Sequence, residues 1–69
     1  MQFETILYEK NNPVAIITLN RPDRLNAINR QVLDELKEIC SLIEADDEIR
    51  AVVLTGAGKT FSSGFDLKE

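Results

Sequence analysis

The first twenty residues carry two short runs of apolar and β-branched side chains separated by turn-forming residues. The run from Phe3 to Glu9 alternates roughly between apolar and polar positions and ends at the Asn and Pro residues of Lys10–Pro13. The second run, Val14–Leu19, is almost continuously apolar, which is typical of a strand covered on both faces. The pattern therefore predicts a β-hairpin.

After a polar connection that contains Pro22, the apolar residues take up a helical period. Asn29 stands at the position of an N-cap. The apolar positions that follow it form one stripe on a helix of about four turns, which ends at residues 45–48. The residues of this stripe are Val32, Leu33, Leu36, Ile39, Cys40 and Ile43. Because Cys40 lies on the stripe with no cationic neighbour, we expect it to be a small, inert core residue.

A compact apolar strand, Ala51–Thr55, follows the helix, and a loop opens at Gly56. The element order β-β-α-β predicts an α/β fold with a right-handed crossover and a mixed sheet, in which the hairpin partner lies at one side. The last residues, 62–69, have the character of the start of another helix. One helical turn has no independent stability, so we expect residues 1–69 to be a truncated part of a single larger domain.

The composition excludes several kinds of site. The chain has no His and one Cys, which rules out a Ser-His-Asp triad, a His-ligated zinc ion and an internal disulfide. The net charge of −4 argues against nucleic-acid and anionic-membrane partners. No apolar run approaches the ~18 residues of a membrane span, and the acidic start lacks the pattern of a secretory signal, so we expect a cytoplasmic protein. The acidic run 46–48 lacks the spacing of a calcium loop, and no metal site is expected.

The glycine-rich loop Gly56–Thr60 invites comparison with a phosphate-binding P-loop, because it ends in Gly-Lys-Thr after a strand. The motif requires another glycine five residues before the second one, and that position is Val53, inside the apolar strand. The dinucleotide fingerprint fails as well, since Phe61 stands where its third glycine belongs. A nucleotide site is therefore disfavoured.

The transition into the last helix offers a different kind of site. Backbone amides at the start of a helix, here those of Phe65 and its neighbours after Gly64, are unpaired and can bind an anion or a carbonyl oxygen that gains negative charge. Asp66 in the first turn would complement the helix dipole. The alternative is an ordinary loop with Ser63 as the helix cap. The residues alone do not decide between these two interpretations.

Three segments, in order and at characteristic spacing, resemble the N-terminal part of the enoyl-CoA hydratase/isomerase (crotonase) superfamily. These are Val14–Pro22, Leu25–Ile28 and Val52–Leu67, and together they extend over nearly the whole chain. The resemblance implies the crotonase-like spiral fold, built from repeated ββα units with helices at one end, and a homotrimer or hexamer. Residues 1–69 would form the start of this fold.

The resemblance also implies an enzyme that binds an acyl-CoA and stabilises a thioester enolate between two backbone amides. Coenzyme A is part of the substrate, and no other cofactor is implied. By position, the amide of Phe65 is the first of these two donors. Ser63, Gly64, Asp66 and Leu67 belong to the segment whose backbone lines the coenzyme site, whereas Arg24 and Lys68 match positions where a cation reaches the phosphates. The positions implied in substrate binding are Arg24, Ser63, Gly64, Phe65, Asp66, Leu67 and Lys68.

Among the activities of the superfamily, we expect an enoyl-CoA hydratase, a lyase of fatty acid metabolism that adds water to a 2,3-enoyl-CoA. An isomerase, a hydrolase, a decarboxylase and a non-catalytic binding module remain as alternatives. The second amide and the acid/base Glu residues of the family match no position up to 69, so no carboxylate of this chain is assigned a catalytic role. Phe65 stands where many relatives have a small residue, and it either shapes the acyl pocket or packs.

Overall fold

The computed structural model describes residues 3–62 and residue 64, and in it a three-stranded sheet carries one α-helix. We number the strands and the α-helix in chain order. The elements are β1 (Ile6–Asn11), β2 (Val14–Leu19), a 3-10 helix (Pro22–Arg24), α1 (Arg30–Glu44) and β3 (Ala51–Gly56).

The sheet has the order β1-β2-β3, with β1 antiparallel and β3 parallel to β2. This confirms the predicted hairpin and the mixed sheet with the order β-β-α-β. The hairpin turns at Asn12 and Pro13, which a cis peptide bond joins. β1 begins at Ile6 and not at Phe3, because the N–H groups of Glu4 and Thr5 donate to the Glu35 carboxylate, at 3.2 and 2.9 Å.

The core lies between α1 and the β1-β2 hairpin. Its fully buried members are Ile6, Ile17, Leu19, Val32 and Ile39. Phe3, Tyr8, Ile28, Leu36 and Ile43 are partly buried and pack against them. α1 begins after Asn29, whose Oδ1 accepts a hydrogen bond from the Val32 N–H at 3.0 Å, so the predicted N-cap is confirmed.

The prediction that Cys40 is a core residue is wrong. The thiol of Cys40 is free and exposed, and Leu33 is exposed as well. Positions that face the sheet from α1 are spaced four, three and four residues apart, which leaves Leu33 and Cys40 beside this line on the solvent side. The inward-facing residues are Val32, Leu36, Ile39 and Ile43.

The prediction that β2 is covered on both faces is also wrong for the part of the chain that the structure describes. Ala15, Ile17 and Leu19 are buried, but the alternate residues of the strand are only partly covered. α1 packs on one face of the sheet, so only the side chains that point to that face are excluded from solvent.

β3 is the exposed strand of the sheet. Val52 and Leu54 stand in register with the buried Ala15 and Ile17, yet their side chains are 50% and 47% exposed because α1 lies over the hairpin. Among residues 3–62 and 64, no helix has the length and apolar character needed to cross a membrane.

Lys10 joins the end of the hairpin to the segment that follows α1. Its Nζ lies 2.7 Å from Asp46 Oδ2 and 2.6 Å from Glu48 Oε1. Hydrogen bonds to Asp46 and then to Glu48 raise the pKa of Lys10, and the same contacts with Lys10 lower the pKa of Asp46 and of Glu48. Two carboxylates of the acidic run after the helix therefore have a structural partner.

Candidate functional site

The candidate site lies at the edge of the sheet where the parallel strands β2 and β3 end. The chain leaves β2 into the loop 20–29 and leaves β3 into the loop 57–62. Leu19 pairs with Gly56, and the N–H of Ala57 donates to the Leu19 carbonyl oxygen at 2.8 Å. Ligands of α/β proteins commonly bind outside the carboxyl ends of parallel strands, so a ligand site is expected at this edge.

Asn26 connects the two loops through its side chain. Its Nδ2 donates to the Ala57 and Thr60 carbonyl oxygens, at 2.8 and 2.6 Å, and its Oδ1 accepts from the Arg21 N–H at 2.8 Å. Asn26 is only 1% exposed, and no buried side-chain nitrogen or oxygen of the described residues lacks a hydrogen-bond partner. The loop 57–62 is therefore fixed from the other loop, 31 and 34 residues earlier in the sequence.

The loop that presents Asn26 is tightly wound. The 3-10 helix Pro22–Arg24 leads into Leu25 and Asn26, which both have positive φ, at 54° and 55°. Asparagine adopts this left-handed region more readily than most residues do. The main chain of Asn26 closes the turn, since its N–H donates to the Arg21 carbonyl oxygen at 2.8 Å. Arg21 adds a second link, from its Nη1 to the Ala27 carbonyl oxygen at 2.5 Å.

Gly56 allows the chain to fold back on itself after β3. A Cβ at this position would clash with the Phe61 carbonyl oxygen and would lie 2.7 Å from both the Phe61 Cα and the Thr60 carbonyl oxygen. These are main-chain atoms that cannot move aside easily. The absence of a side chain at Gly56 is therefore a requirement of the loop.

Gly64 is held at both of its polar main-chain atoms. Its carbonyl oxygen accepts from the Ile28 N–H at 2.8 Å, and its N–H donates to Ser62 Oγ at 3.0 Å. The Ser62 hydroxyl donates in turn to the Asn26 carbonyl oxygen at 2.9 Å. Gly64 has φ +97°, a conformation that favours glycine. The structure thus brings Gly64, Ser62, Ile28 and Asn26 together at one edge of the sheet.

Comparison with known proteins identifies the family of this chain. A model of the enoyl-CoA hydratase/isomerase family matches residues 9–69. The chain belongs to this family. The resemblance seen in the sequence is thereby confirmed, and so is the α/β fold with the order β-β-α-β. The further helix expected after β3 lies outside the described residues.

Named relatives and solved structures agree with this assignment. A probable enoyl-CoA hydratase of Mycobacterium tuberculosis is 46% identical over 69 residues, which cover 100% of this chain and 27% of that protein. A short-chain-enoyl-CoA hydratase of Clostridium acetobutylicum is 44% identical over 70 residues, with the same coverage of 100% and 27%. The crystal structure of an enoyl-CoA hydratase/isomerase from Xanthobacter autotrophicus Py2 superposes with a TM-score of 0.93 at 49% identity, over 97% of this chain and 25% of that one. The chain thus spans about a quarter of the length of the relatives it matches.

Two of the residues that the sequence implicates in substrate binding by this family member can be placed. Arg24 is exposed at the end of the 3-10 helix, in the same loop as Asn26 and Ile28. Gly64 lies near the same loop, where its carbonyl oxygen accepts a hydrogen bond from the Ile28 N–H. The other five lie outside the described residues and remain predictions: Ser63, Phe65, Asp66, Leu67 and Lys68.

Sequence reasoning missed Ser62 and Asn26 as parts of the site. The sequence places Asn26 only within a segment that resembles the family, and it indicates Ser63, not Ser62, as the local cap. The signals that could have found them are the strong preference of Asn for left-handed turns and the ability of Ser to bond the main chain two residues on. Their main partners lie about 31 to 36 residues away in sequence, where no local pattern reaches.

The loop after β3 does not have the geometry of a phosphate-binding loop. Such a loop turns several N–H groups toward the ligand, but here the carbonyl oxygens of Ala57 and Thr60 are directed to the Asn26 amide. Val53, the position of the missing glycine, lies within β3. Residues 61 and 62, which would begin the helix of such a motif, are not helical.

Three of the four described residues with shifted pKa values lie away from this edge, whereas the fourth, Glu35, bonds Thr5, whose carbonyl oxygen accepts from the Asn20 N–H at the end of β2. Lys10, Asp46 and Glu48 meet near the start of β3, beside an open groove lined in part by Ile43, Ile49 and Val52. The described part of the chain has no group of three or more Cys, Asp or Glu side chains placed to hold a metal ion. The described residues of the candidate site are held in a fixed geometry by hydrogen bonds to main-chain groups.

Proposed function

We propose that the whole protein is an enoyl-CoA hydratase, which adds water across the 2,3-double bond of an acyl-CoA. Family membership and relatives named as enoyl-CoA hydratases support this proposal. The structural observation that carries it is the fixed conformation of Gly64, whose two polar main-chain atoms are bonded to Ile28 and Ser62. Gly64 directly precedes the amide that the resemblance assigns to the oxyanion hole.

In the proposed mechanism, the thioester oxygen gains negative charge when the oxygen of water adds to C3. The Phe65 N–H donates a hydrogen bond to this oxygen, and a second main-chain amide outside this chain donates another. C2 then takes up a proton, which gives the 3-hydroxyacyl-CoA. One preorganised donor of this kind accounts for about 10²–10³ in kcat. The carboxylates that move the protons would lie outside residues 1–69.

Binding of the coenzyme would use the remaining residues of the predicted site. Arg24 is an exposed basic residue at the same edge of the sheet as Gly64, which supports a contact with a coenzyme A phosphate. Lys68 would supply a second cation, while Ser63, Gly64, Asp66 and Leu67 would line the adenine and thioester part of the site. We further propose a cytoplasmic homotrimer or hexamer that acts in fatty acid metabolism, needs no cofactor beyond the coenzyme A of its substrate, and binds neither nucleic acid nor membrane.

A second candidate activity is double-bond isomerisation, because the family and the Xanthobacter structure carry the name hydratase/isomerase. Both reactions place negative charge on the thioester oxygen of an enolate, so the part of the site in this chain serves either one. They differ in the acid and base groups that deliver and remove the protons.

The test is to incubate the whole protein with crotonyl-CoA and with a 3-enoyl-CoA and to identify the products. A hydratase gives 3-hydroxyacyl-CoA from crotonyl-CoA. Conversion of the 3-enoyl-CoA to the 2-enoyl-CoA without hydration would favour the isomerase, and free coenzyme A or loss of CO₂ from a suitable substrate would favour a hydrolase or a decarboxylase. Binding without turnover would leave a binding module, and ATP binding that Lys59→Ala abolishes would contradict the proposal.

A further inference from the structure

We propose that Ser62 is a positioning residue for the peptide group between Gly64 and Phe65, with its hydroxyl acting as a clamp anchored on the Asn26 carbonyl. This inference rests on the proposed function, because it concerns the amide that would stabilise the thioester enolate. It adds two residues, Ser62 and Asn26, to those that the sequence places at the site.

The hydrogen bonds at the Ser62 hydroxyl define its orientation. A hydroxyl has a single proton to donate, together with two acceptor lone pairs. Ser62 Oγ lies 2.9 Å from the Asn26 carbonyl oxygen, which can only accept, so the proton lies in this bond. The oxygen is thus left to accept from the Gly64 N–H, 3.0 Å away. Ser62 therefore transmits the position of Asn26 to the amide of Gly64.

The other side of Gly64 is fixed by Ile28. The Gly64 carbonyl oxygen, which accepts the Ile28 N–H at 2.8 Å, belongs to the same planar peptide group as the N–H that the mechanism uses. In a trans peptide these two groups point in opposite directions. In the proposal, the hydrogen bond to Ile28 restrains this peptide group from the carbonyl side, and the hydrogen bond to Ser62 restrains Gly64 from the amide side.

Asn26 gives the clamp a rigid base. Its side chain is bonded to Arg21, Ala57 and Thr60, and the residue is 1% exposed. A carbonyl oxygen on such a residue moves little relative to the sheet, since both loops would have to move with it. In the proposal, Asn26 therefore fixes the position of Ser62, Ser62 restrains Gly64, and Gly64 orients the donor.

Loss of the clamp should affect catalysis more than binding. An oxyanion donor acts only when its proton is directed at the position of the developing charge, and displacement by about 1 Å can cost about 10²-fold in rate. Coenzyme recognition depends on other contacts. The clamp thus predicts a fall in kcat with little change in KM, which a merely structural hydrogen bond would not produce.

The experiment compares three variants of the whole protein in crotonyl-CoA hydration. Ser62→Ala removes the hydroxyl, Ser62→Thr keeps it, and Ser41→Ala is the matched control, since Ser41 Oγ donates to the Lys37 carbonyl oxygen on an exposed face of α1. We expect Ser62→Ala to lower kcat by about 10- to 100-fold with KM changed less than about threefold. Ser62→Thr should recover most of kcat, and Ser41→Ala should equal the wild type.

Thermal unfolding and amide hydrogen exchange at Gly64 complete the test. The proposal requires faster exchange at Gly64 in Ser62→Ala than in the wild type and in Ser62→Thr. A folded Ser62→Ala protein with wild-type kcat, or an equal loss in Ser41→Ala, would overturn it. If the wild type itself does not hydrate crotonyl-CoA, the proposed function fails, while the exchange rate at Gly64 still shows whether Ser62 holds this amide.

Discussion

At the scale of single residues, the Asn26 side chain bonds three main-chain groups that belong to two loops. Few other side chains could replace it. A side chain at this position needs one acceptor for the Arg21 N–H, donors for two carbonyl oxygens and tolerance of a φ of 55°. Leucine would leave all of these groups unpaired, and aspartate would place a carboxylate oxygen against the carbonyl oxygens of Ala57 and Thr60. The chemistry of one amide group therefore determines how the two loops meet.

Replacement of this amide by a carboxylate should be costly. Asn26→Asp in the whole protein should lower the free energy of unfolding at neutral pH by about 3 kcal/mol, because buried carbonyl oxygens lose their donors. The loss should shrink as the pH falls, since burial raises the pKa of the new carboxyl and its protonated form regains one donor. Denaturant titration at several pH values measures both effects. Asn11→Asp, at the exposed end of β1, is the control, and equal losses in the two variants would contradict this account.

Gly56 and Gly58, at the end of β3 and in the loop after it, are glycines for different reasons. Gly56 has no space for a Cβ, whereas Gly58 has a positive φ. Gly56→Ala should lower the free energy of unfolding by about 3 kcal/mol, because its Cβ would meet the main chain of Thr60 and Phe61. Gly58→Ala should cost only about 1 kcal/mol, since the strain of its φ of +81° is the main penalty and the added Cβ would lie 3.4 Å from Pro22 Cβ. The midpoints of urea unfolding test this order. A Gly56→Ala protein as stable as the wild type would show that the loop has room to spare.

At the scale of elements, α1 is linked to the start of β1 by a carboxylate in the middle of the helix. Glu35 accepts hydrogen bonds from the N–H and the hydroxyl of Thr5, at 2.9 and 2.8 Å, and from the Glu4 N–H. The sequence predicts the helix, its N-cap and four of the six residues assigned to its core stripe, because these depend on neighbours within a few positions. It does not predict the bonds to Glu35, whose partners are about 30 residues away, or the exposed side of Cys40, which depends on the rotation of α1 over the sheet.

The bonds to Glu35 should make stability depend on pH. Burial opposes ionisation, but the hydrogen bonds from Thr5, Glu4 and Gln31 outweigh it and hold the pKa of Glu35 below its ordinary value of 4.5. A carboxylate with a lowered pKa contributes stability above the ordinary value, and the contribution disappears as the pH falls through the pKa of the folded state. Glu35→Gln should therefore lower the free energy of unfolding by about 1 kcal/mol at pH 7 and by less at pH 3, as measured by denaturant titration at the two pH values.

Glu38→Gln, on the exposed side of α1, serves as the control for Glu35→Gln. It should change the free energy of unfolding by less than about 0.5 kcal/mol at either pH. A cost of Glu35→Gln that stays constant from pH 7 to pH 3 would contradict the role assigned to the ionised form.

At the scale of the whole molecule, the chain supplies one part of a proposed site and a small core. The order of the elements and the mixed sheet could be predicted from local patterns. The candidate site could be predicted only as far as the resemblance reached, since Asn26 and Ser62 acquire their roles through contacts about 31 to 36 residues apart. β3 stays about half exposed, and the chain spans 27% of relatives such as the Mycobacterium tuberculosis protein.

Because this chain supplies only part of the proposed site, we predict that the 69-residue chain alone does not catalyse the proposed reaction. The proposal assigns one amide donor to this chain and assigns the second donor and the acid/base groups to other parts of the protein. Incubation of the isolated chain with crotonyl-CoA should give no hydration above the uncatalysed rate. Hydration above that rate would show that the chain contains acid/base groups that this account does not assign.

The central claim is that the N–H after Gly64 stabilises the thioester enolate, and kcat for crotonyl-CoA hydration by two variants of the whole protein tests it most directly. Phe65→Pro removes the N–H, whereas Phe65→Ala shortens the side chain and keeps it. We expect kcat of Phe65→Pro to be about 10²- to 10³-fold below that of Phe65→Ala, with both proteins folded by circular dichroism. Equal kcat values in the two folded variants would contradict the claim.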